Sequence, residues 1–100
     1  MALFLNKAND NEWVLQGPLN VRTIRRIWRE GYDLLEKTQA KQITLNLQDL
    51  TQSDSASVAL LIDWQRYAKQ HGKTLRLHHV PEKMREIIRL SNLQNILEHE

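Results

Sequence analysis

Four short segments of the chain are rich in apolar residues and are strand candidates, and in two of them apolar and polar residues alternate, as in strands with one buried face. The first two segments are residues 2–7 and 12–16, and the turn-forming residues 8–11 (ANDN) between them predict a hairpin. The other two are residues 43–47 (ITLNL) and 74–78 (TLRLH), each with alternate apolar residues on one side. The pattern therefore predicts four strands, the first two of which are antiparallel.

A first helix is predicted from Val21 to Lys37, with Asn20 as its N-cap after the strand-breaking Gly17-Pro18. Its apolar positions recur every three or four residues and form a stripe that we expect to face the core. The stripe consists of Val21, Ile24, Ile27 or Trp28, Gly31, and Leu34 or Leu35.

Two more helices follow in the second half of the chain. One runs from Ser55 to His71, with Ser53 or Asp54 as its cap, and Gly72 ends it. The other begins at Pro81, since proline is favoured in the first turn of a helix.

The predicted order is β-β-α-β-α-β-α, which defines an α/β fold. Helices of this length between strands imply right-handed crossovers and parallel pairing, so we expect a four-stranded mixed sheet covered by about three helices. The length of 100 residues fits a single domain, residues 1–100.

Composition and charge exclude several classes of function. The longest apolar run, residues 58–62, has five residues, whereas a membrane span needs about 20. No signal peptide is visible, and the chain has no cysteine for disulfides or thiolate chemistry. A net charge of +2 does not indicate a nucleic-acid binder. We therefore expect a cytoplasmic domain.

A polar loop follows the third predicted strand and leads into a cluster of small residues at the start of the second helix. Free backbone N–H groups and hydroxyls at such a helix start can engage a partner protein, a phosphate or a kinase. The candidate partner-binding residues are Ser53, Asp54, Ser55, Ala56, Ser57 and Leu60. Asp54 and Ser55 also suit a purely local role in capping the helix, and both interpretations stay open.

Four arginines lie within two turns of the first predicted helix: Arg22, Arg25, Arg26 and Arg29. One interpretation is a solvated face with Arg26–Glu30 and Arg29–Asp33 pairs at i,i+4 spacing. The other is contact with an acidic partner or with anionic lipid headgroups.

Sequence features of an enzyme or a metal site are not found. The three glycines are far apart, so the chain has no glycine-rich phosphate loop. His78 and His79 are neighbours on a strand and point to opposite faces, which makes them poor joint metal ligands. We predict no catalytic residue, no metal and no cofactor.

Five segments, in this order and spacing, resemble the STAS domain, the module shared by anti-sigma-factor antagonists and the tails of sulphate transporters. They are residues 15–19 (LQGPL), 43–47 (ITLNL), 54–61 (DSASVALL), 68–72 (AKQHG) and 90–93 (LSNL). The resemblance covers almost the whole chain, and it implies a STAS-like fold whose signature loop is the partner-binding segment at residues 54–61.

The signature loop distinguishes two groups of this family. In anti-sigma-factor antagonists it looks like Asp-Ser-Ser-Gly-Leu, and the second serine is phosphorylated by the partner kinase. This chain has Ala56 at that position, and alanine has no hydroxyl. The small STAS subunits of Mla-type phospholipid-transport ABC systems (MlaB-like) look like Asp-Thr-Gly-Gly-Leu-Ala-Leu-Leu. Ser55 is similar to their hydroxyl residue, and Ala56 and Ser57 replace the two glycines.

The resemblance implies a non-enzymatic cytoplasmic subunit, peripheral to the inner membrane through its partner. Such a subunit binds and supports the ATPase subunit of an ABC-type phospholipid transport system that maintains outer-membrane lipid asymmetry. The alternative is an anti-sigma-factor antagonist that binds a serine kinase or anti-sigma factor, with Ser53, Ser55 and Ser57 as the remaining acceptors. A third hypothesis is a lipid- or small-ligand-binding module that uses the four arginines.

Overall fold

The computed structural model describes residues 2–93 and Leu97, and this part of the chain follows the predicted order with one additional strand. Its elements are β1 (Phe4–Asn9), β2 (Glu12–Pro18), α1 (Ile24–Lys37), β3 (Gln42–Asn46), β4 (Leu50–Gln52), α2 (Ser55–Gln70), β5 (Thr74–His78) and α3 (Glu82–Leu90). The predicted α/β class is confirmed. The assignment of residues 1–100 to one domain stays a prediction.

The sheet is mixed, in the order β1-β2-β3-β5. β1 pairs with β2 antiparallel, which confirms the predicted hairpin, and β2–β3 and β3–β5 are parallel. The short strand β4 was not predicted, and it pairs parallel with the end of β2, where Gly17 lies opposite Leu50. The predicted four-stranded mixed sheet is therefore correct in its main path, and β4 is an addition to it.

One face of the sheet is buried and the opposite face is mostly polar. Alternate residues of the three parallel strands are between 0% and 1% exposed: Trp13, Leu15, Ile43, Leu45, Leu75 and Leu77. They form one core cluster with apolar residues of α1, α2 and α3, so the helices cover this face. The two-residue period of the sequence is the physical origin of this arrangement, because neighbouring side chains of a strand point to opposite faces.

The first helix begins later than predicted. α1 begins at Ile24 with Thr23 as its N-cap, so the prediction that Asn20 caps a helix from Val21 was wrong. The Asn20 side chain instead accepts from the backbone N–H of Arg22 at 2.9 Å, which forms a turn before the helix. The Thr23 hydroxyl donates to the Pro18 carbonyl at 2.8 Å and fixes this turn. Val21 is 71% exposed in consequence and does not belong to the core stripe.

Gly31 permits the close approach of α1 and α2. A Cβ atom at Gly31 would lie 2.2 Å from Cε2 of Trp64, whose side chain is fully buried. The Trp64 indole also donates from Nε1 to the Trp28 carbonyl at 3.1 Å, so its ring is fixed against α1. Gly31 thus faces the core as predicted, and its role there is to leave room for the indole.

The ends of the other helices agree closely with expectation. Gly72 lies beyond the end of α2 at φ +71°, and the backbone N–H groups of Gly72 and Lys73 donate to Lys69 and Ala68. This is the Schellman arrangement that a glycine favours. α3 begins at Glu82 with Pro81 as its N-cap, one residue after the predicted start at Pro81. None of the helices in the described residues has the length and apolar character to cross a bilayer.

Candidate docking surface

The start of α2 is held by a capping box. The carboxylate of Asp54, the N-cap, accepts from the backbone N–H of Ser57 at 3.2 Å. The Ser57 hydroxyl in turn accepts from the backbone N–H of Asp54 at 3.0 Å. These reciprocal bonds satisfy two N–H groups that would otherwise lack a partner at a helix start. The sequence prediction that Ser53 or Asp54 caps this helix is confirmed for Asp54.

A further hydrogen bond ties this helix start to the connection between β2 and α1. The Ser57 hydroxyl lies 3.1 Å from the Leu19 carbonyl and can donate to it, and Ser57 is fully buried. The side-chain amide of Asn20 donates to Oε1 of Gln52 at 2.9 Å across the same junction. The start of α2 and the connection between β2 and α1 therefore form one continuous surface, which these hydrogen bonds hold in place without a partner.

The six predicted partner-binding residues divide into two groups by exposure. Ser53 is 7% exposed, and Ser57 and Leu60 are fully buried, so these three position the loop and their side chains do not reach its surface. Ser55 is exposed, and Asp54 and Ala56 are half-buried. We call the exposed area formed by Asp54, Ser55 and Ala56 the docking surface. Its binding to a partner stays a prediction.

A shallow cavity of about 280 Å³ lies next to the docking surface. It is lined by β4 and the residue that follows it, together with Pro81 and Lys83 at the start of α3. The sequence analysis missed this neighbourhood because β4 has three residues, too few to show a period. Lys83 is the one cation among the described residues that line this cavity, so it adds positive charge beside Ser53.

The four arginines lie beside a second cavity, which shares no lining residue with the first. They line a cavity of about 640 Å³ between α1 and the segment Ala2–Leu3. Arg26 donates to Glu30 at 2.8 Å and also to the Leu3 carbonyl, which confirms the first predicted ion pair. The predicted Arg29–Asp33 pair does not form, although both residues line the cavity. We call the exposed side of Arg22, Arg25, Arg26 and Arg29 the arginine face.

A hydrogen-bonded aromatic cluster joins α1 to α2, and the sequence analysis did not find it. The Asp63 carboxylate accepts from Nε1 of Trp28 at 2.6 Å and from the hydroxyl of Tyr32. Trp28 was expected in the core, and it does pack against the core, but it is half-buried and its indole serves this network. The hydrogen bond to Asp63 raises the pKa of Tyr32 above its ordinary value, because ionising the phenol would remove the donated proton.

The aromatic cluster between α1 and α2 continues toward the end of α2. The Tyr67 ring stacks on Tyr32 with centroids 4.3 Å apart and lies 4.4 Å from the His71 ring. The Tyr67 hydroxyl donates to the Glu36 carboxylate, and this hydrogen bond raises the pKa of Tyr67 to about 12. These contacts join side chains of α1 to side chains of α2, so we assign them to helix packing.

The described residues hold no group of three or more histidine, aspartate or glutamate side chains close enough to bind a metal ion. The His78 and His79 rings have centroids 6.3 Å apart and meet edge to face. Every buried side-chain nitrogen and oxygen in this part of the chain has a hydrogen-bond partner. What distinguishes the molecule chemically is therefore its surface: the docking surface and the arginine face.

Comparison with known proteins agrees with this geometry. A family model described as "Mlab, STAS domain" matches residues 7–98. A chain of the Acinetobacter MlaFEDB complex in an ATP-bound conformation is 25% identical, with a TM-score of 0.82 and 100% coverage of both chains. No curated protein matches the chain at a significant level of sequence similarity.

Two structures of anti-sigma-factor antagonists also match along the chain. Unphosphorylated SpoIIAA, a cell-fate determinant of Bacillus, is 18% identical with a TM-score of 0.77, over 99% of this chain and 88% of that one. A STAS domain protein of Planctomyces limnophilus is 13% identical with a TM-score of 0.76, over 100% and 90%. At these identities the matches show the fold alone.

Proposed function

Because this chain belongs to the STAS domain family, in the group of the Mla STAS domain, we propose that it is a non-enzymatic subunit of a phospholipid-transporting ABC system. In this role it binds the ATPase subunit and supports its activity, and it lies at the cytoplasmic side of the inner membrane through that partner. The observation that carries the proposal is the match, at 25% identity over both whole chains, to a component of an ATP-bound Mla complex.

The docking surface supports this role physically. Its loop is fixed by the capping box and by the bond from Ser57 to the Leu19 carbonyl, so little conformational entropy is lost when a partner binds. The exposed Ser55 hydroxyl at the first position of α2 can donate to a partner carbonyl or accept from a partner N–H. The side chain of Ala56 is a single methyl group, so a partner backbone can approach closely beside Ser55.

The test is co-purification with the ATPase subunit of the same organism's phospholipid-transport system. Ser55→Arg should abolish the complex, because a long charged side chain would occupy the centre of the surface. Ser91→Arg is the matched control, since Ser91 is also exposed but lies at the end of α3. Circular dichroism should show that both variants are folded. A Ser55→Arg variant that still co-purifies in full would refute the proposed surface.

The second candidate is an anti-sigma-factor antagonist, because proteins of that class, such as SpoIIAA, share this fold. Of the three serines that could replace the missing phosphoserine, Ser53 and Ser57 are buried and Ser55 is exposed. A kinase would therefore have to use Ser55. Mass spectrometry after incubation with the serine kinases of the organism tests this candidate, and phosphate on Ser55 would favour it over the ABC subunit.

A further inference from the structure

The positive charge of the protein is concentrated at the arginine face. The cavity there is lined by four arginines and by the carboxylates of Glu30 and Asp33. The whole chain has 14 basic and 12 acidic residues, so with these six set aside ten of each remain and cancel. The excess of two positive charges at this cavity is therefore as large as the formal net charge of the whole chain, +2.

Most of this charge is not neutralised within the protein. Among the described residues the ion pairs are Lys7–Asp10 and Arg26–Glu30. Arg22, Arg25 and Arg29 therefore have no carboxylate of the described chain within ion-pair distance, and all three are exposed. Their guanidinium groups are available to acids from outside.

The placement of the arginines also works against helix stability. Within α1, Arg29 lies four residues after Arg25 and three after Arg26, and like charges at these spacings on a helix repel. Arg25 and Arg26 occupy the first turn of α1, which has no acidic residue, and the positive end of the helix dipole disfavours cations there. An arrangement that costs stability in the isolated protein is explained if an external anion relieves the repulsion.

The arginine face is linked to the docking surface through the connection between β2 and α1. Arg22 lies two residues after Asn20, whose side chain is bonded to Gln52 at 2.9 Å, and the Leu19 carbonyl is bonded to Ser57, two residues after Ser55. These short connections place the two surfaces within reach of one partner protein.

We propose that the arginine face is the electrostatic part of the docking site and binds an acidic patch of aspartate and glutamate side chains on the ATPase partner. This inference rests on the function proposed above and names the chemistry of the partner's contact. Guanidinium groups bind carboxylates through two parallel hydrogen bonds, which explains why all four cations are arginine. The arginine face speeds association by attracting the partner, while the docking surface supplies the close contact.

The geometry favours an acidic protein over a membrane surface. The cavity is concave, whereas a bilayer presents a broad plane of headgroups. Glu30 and Asp33 line the same cavity and would repel a uniformly anionic plane. A protein patch can place its carboxylates on Arg22, Arg25 and Arg29 and avoid these two acids.

The experiment compares Arg22→Glu/Arg25→Glu with the wild type in binding the purified ATPase subunit. The control is Arg66→Glu/Lys69→Glu, which has the same charge change and spacing at exposed positions about three turns of α2 from Ser55. Association rates are measured by surface plasmon resonance from about 50 to 500 mM salt. We expect the first variant to associate about tenfold more slowly at low salt, with the difference lost at high salt, and the control to match the wild type.

A thermal melt of the isolated protein adds a second measurement. Glutamates before and in the first turn of α1 should raise Tm by a few degrees, about the effect of a favourable helix-dipole interaction. Slower association by a more stable variant cannot be attributed to misfolding. An unchanged Tm together with an unchanged association rate would contradict both the helix-dipole effect and the binding role of the arginine face.

The outcomes separate this inference from the proposed function. If Ser55→Arg abolishes the complex but Arg22→Glu/Arg25→Glu associates like the wild type at every salt concentration, the arginine face is not part of the site. If the wild type does not bind the ATPase subunit at all, the proposed function and this inference both fail. If the charge reversal abolishes sedimentation with phosphatidylglycerol vesicles and leaves ATPase binding unchanged, the surface binds lipid and the inference is wrong.

Discussion

Replacing Gly31 by alanine tests whether the spacing of α1 and α2 is set by the contact between Gly31 and Trp64. The added Cβ atom would lie 2.2 Å from Cε2, 2.3 Å from Cζ2 and 2.6 Å from Nε1 of the Trp64 indole. Ordinary contact begins at 3.4 Å, so the ring or the helix must retreat by 1.2 Å, the difference between 3.4 and 2.2 Å. The ring is fully buried, so it can retreat only by displacing other core residues.

Three effects decide the free energy of unfolding of this variant. Overpacking of a filled core costs about 1–3 kcal/mol. Because Gly31→Ala makes three close contacts, we take the upper end of this range, about 3 kcal/mol. A shifted indole weakens its 3.1 Å hydrogen bond to the Trp28 carbonyl, which costs about 1 kcal/mol. Alanine is a better helix former than glycine and recovers about 1 kcal/mol. The net expectation is a loss of about 3 kcal/mol, the sum of these contributions.

Urea denaturation followed by circular dichroism measures this loss, provided that the m-value is unchanged. Asp33→Ala is the control in the same helix, because Asp33 is exposed and its replacement should change stability by no more than about 0.5 kcal/mol. In a double-mutant cycle, Trp64→Phe removes ring atoms that cause the clash, so Gly31→Ala should cost less in that background by about 1–2 kcal/mol. A Gly31→Ala variant as stable as the wild type, or strictly additive effects in the cycle, would refute the reasoning.

The remaining predictions concern hydrogen bonds at three places. The raised pKa of Tyr67, about 12, means that Glu36 favours the protonated phenol; its contribution to stability is complete below pH 10 and is lost as pH rises toward 12. Absorbance at 295 nm should show this late titration, and Glu36→Gln should bring it back toward 10; an unchanged curve would contradict the assignment. Gln65 is 2% exposed, and its side-chain amide is bonded to both the N–H and the carbonyl of Leu75 at 2.9 Å. Gln65→Met should therefore lower the free energy of unfolding by about 2–4 kcal/mol in urea titrations. A smaller loss would mean that water replaces the amide. Ser57→Ala removes the capping hydroxyl and should cost about 1–2 kcal/mol by thermal denaturation, whereas no loss would show that the capping box is dispensable.

The sequence was sufficient for elements whose pattern repeats over five or more residues. The segment Ile43–Leu47 alternates with a period of two and α1 has an apolar stripe every three or four residues, and the strand and the body of the helix form where they were expected. β4 was missed because its three residues form a strand only through pairing with β2, which the local sequence does not encode. The start of α1 was misplaced because the Thr23 hydroxyl bonds the preceding turn, a tertiary detail that competes with the capping preference of Asn20.

The candidate site also combines features that the sequence predicts with features that it does not. The capping role of Asp54 and the i,i+4 pair of Arg26 follow from spacing along the chain, and the structure contains both. The burial of Ser57 could not be predicted, because the Leu19 carbonyl that its hydroxyl contacts is 38 residues away in sequence. The bonds of Asp63 to Trp28 and Tyr32 likewise span more than 30 residues and depend on how the two helices pack.

The pairing of β4 with β2 has a consequence for how this protein can change in length. Residues 47–54 look like a surface loop that would tolerate insertions, yet the segment is attached at two points, from Gly17 N–H to the Asp49 carbonyl at 3.1 Å and from Leu19 N–H to the Gln52 carbonyl at 2.9 Å. An inserted residue between these points would shift the register of β4 and separate Gln52 from Asn20, to which it is bonded at 2.9 Å. Insertions and deletions should therefore be excluded from this segment, although its sequence reads as a loop.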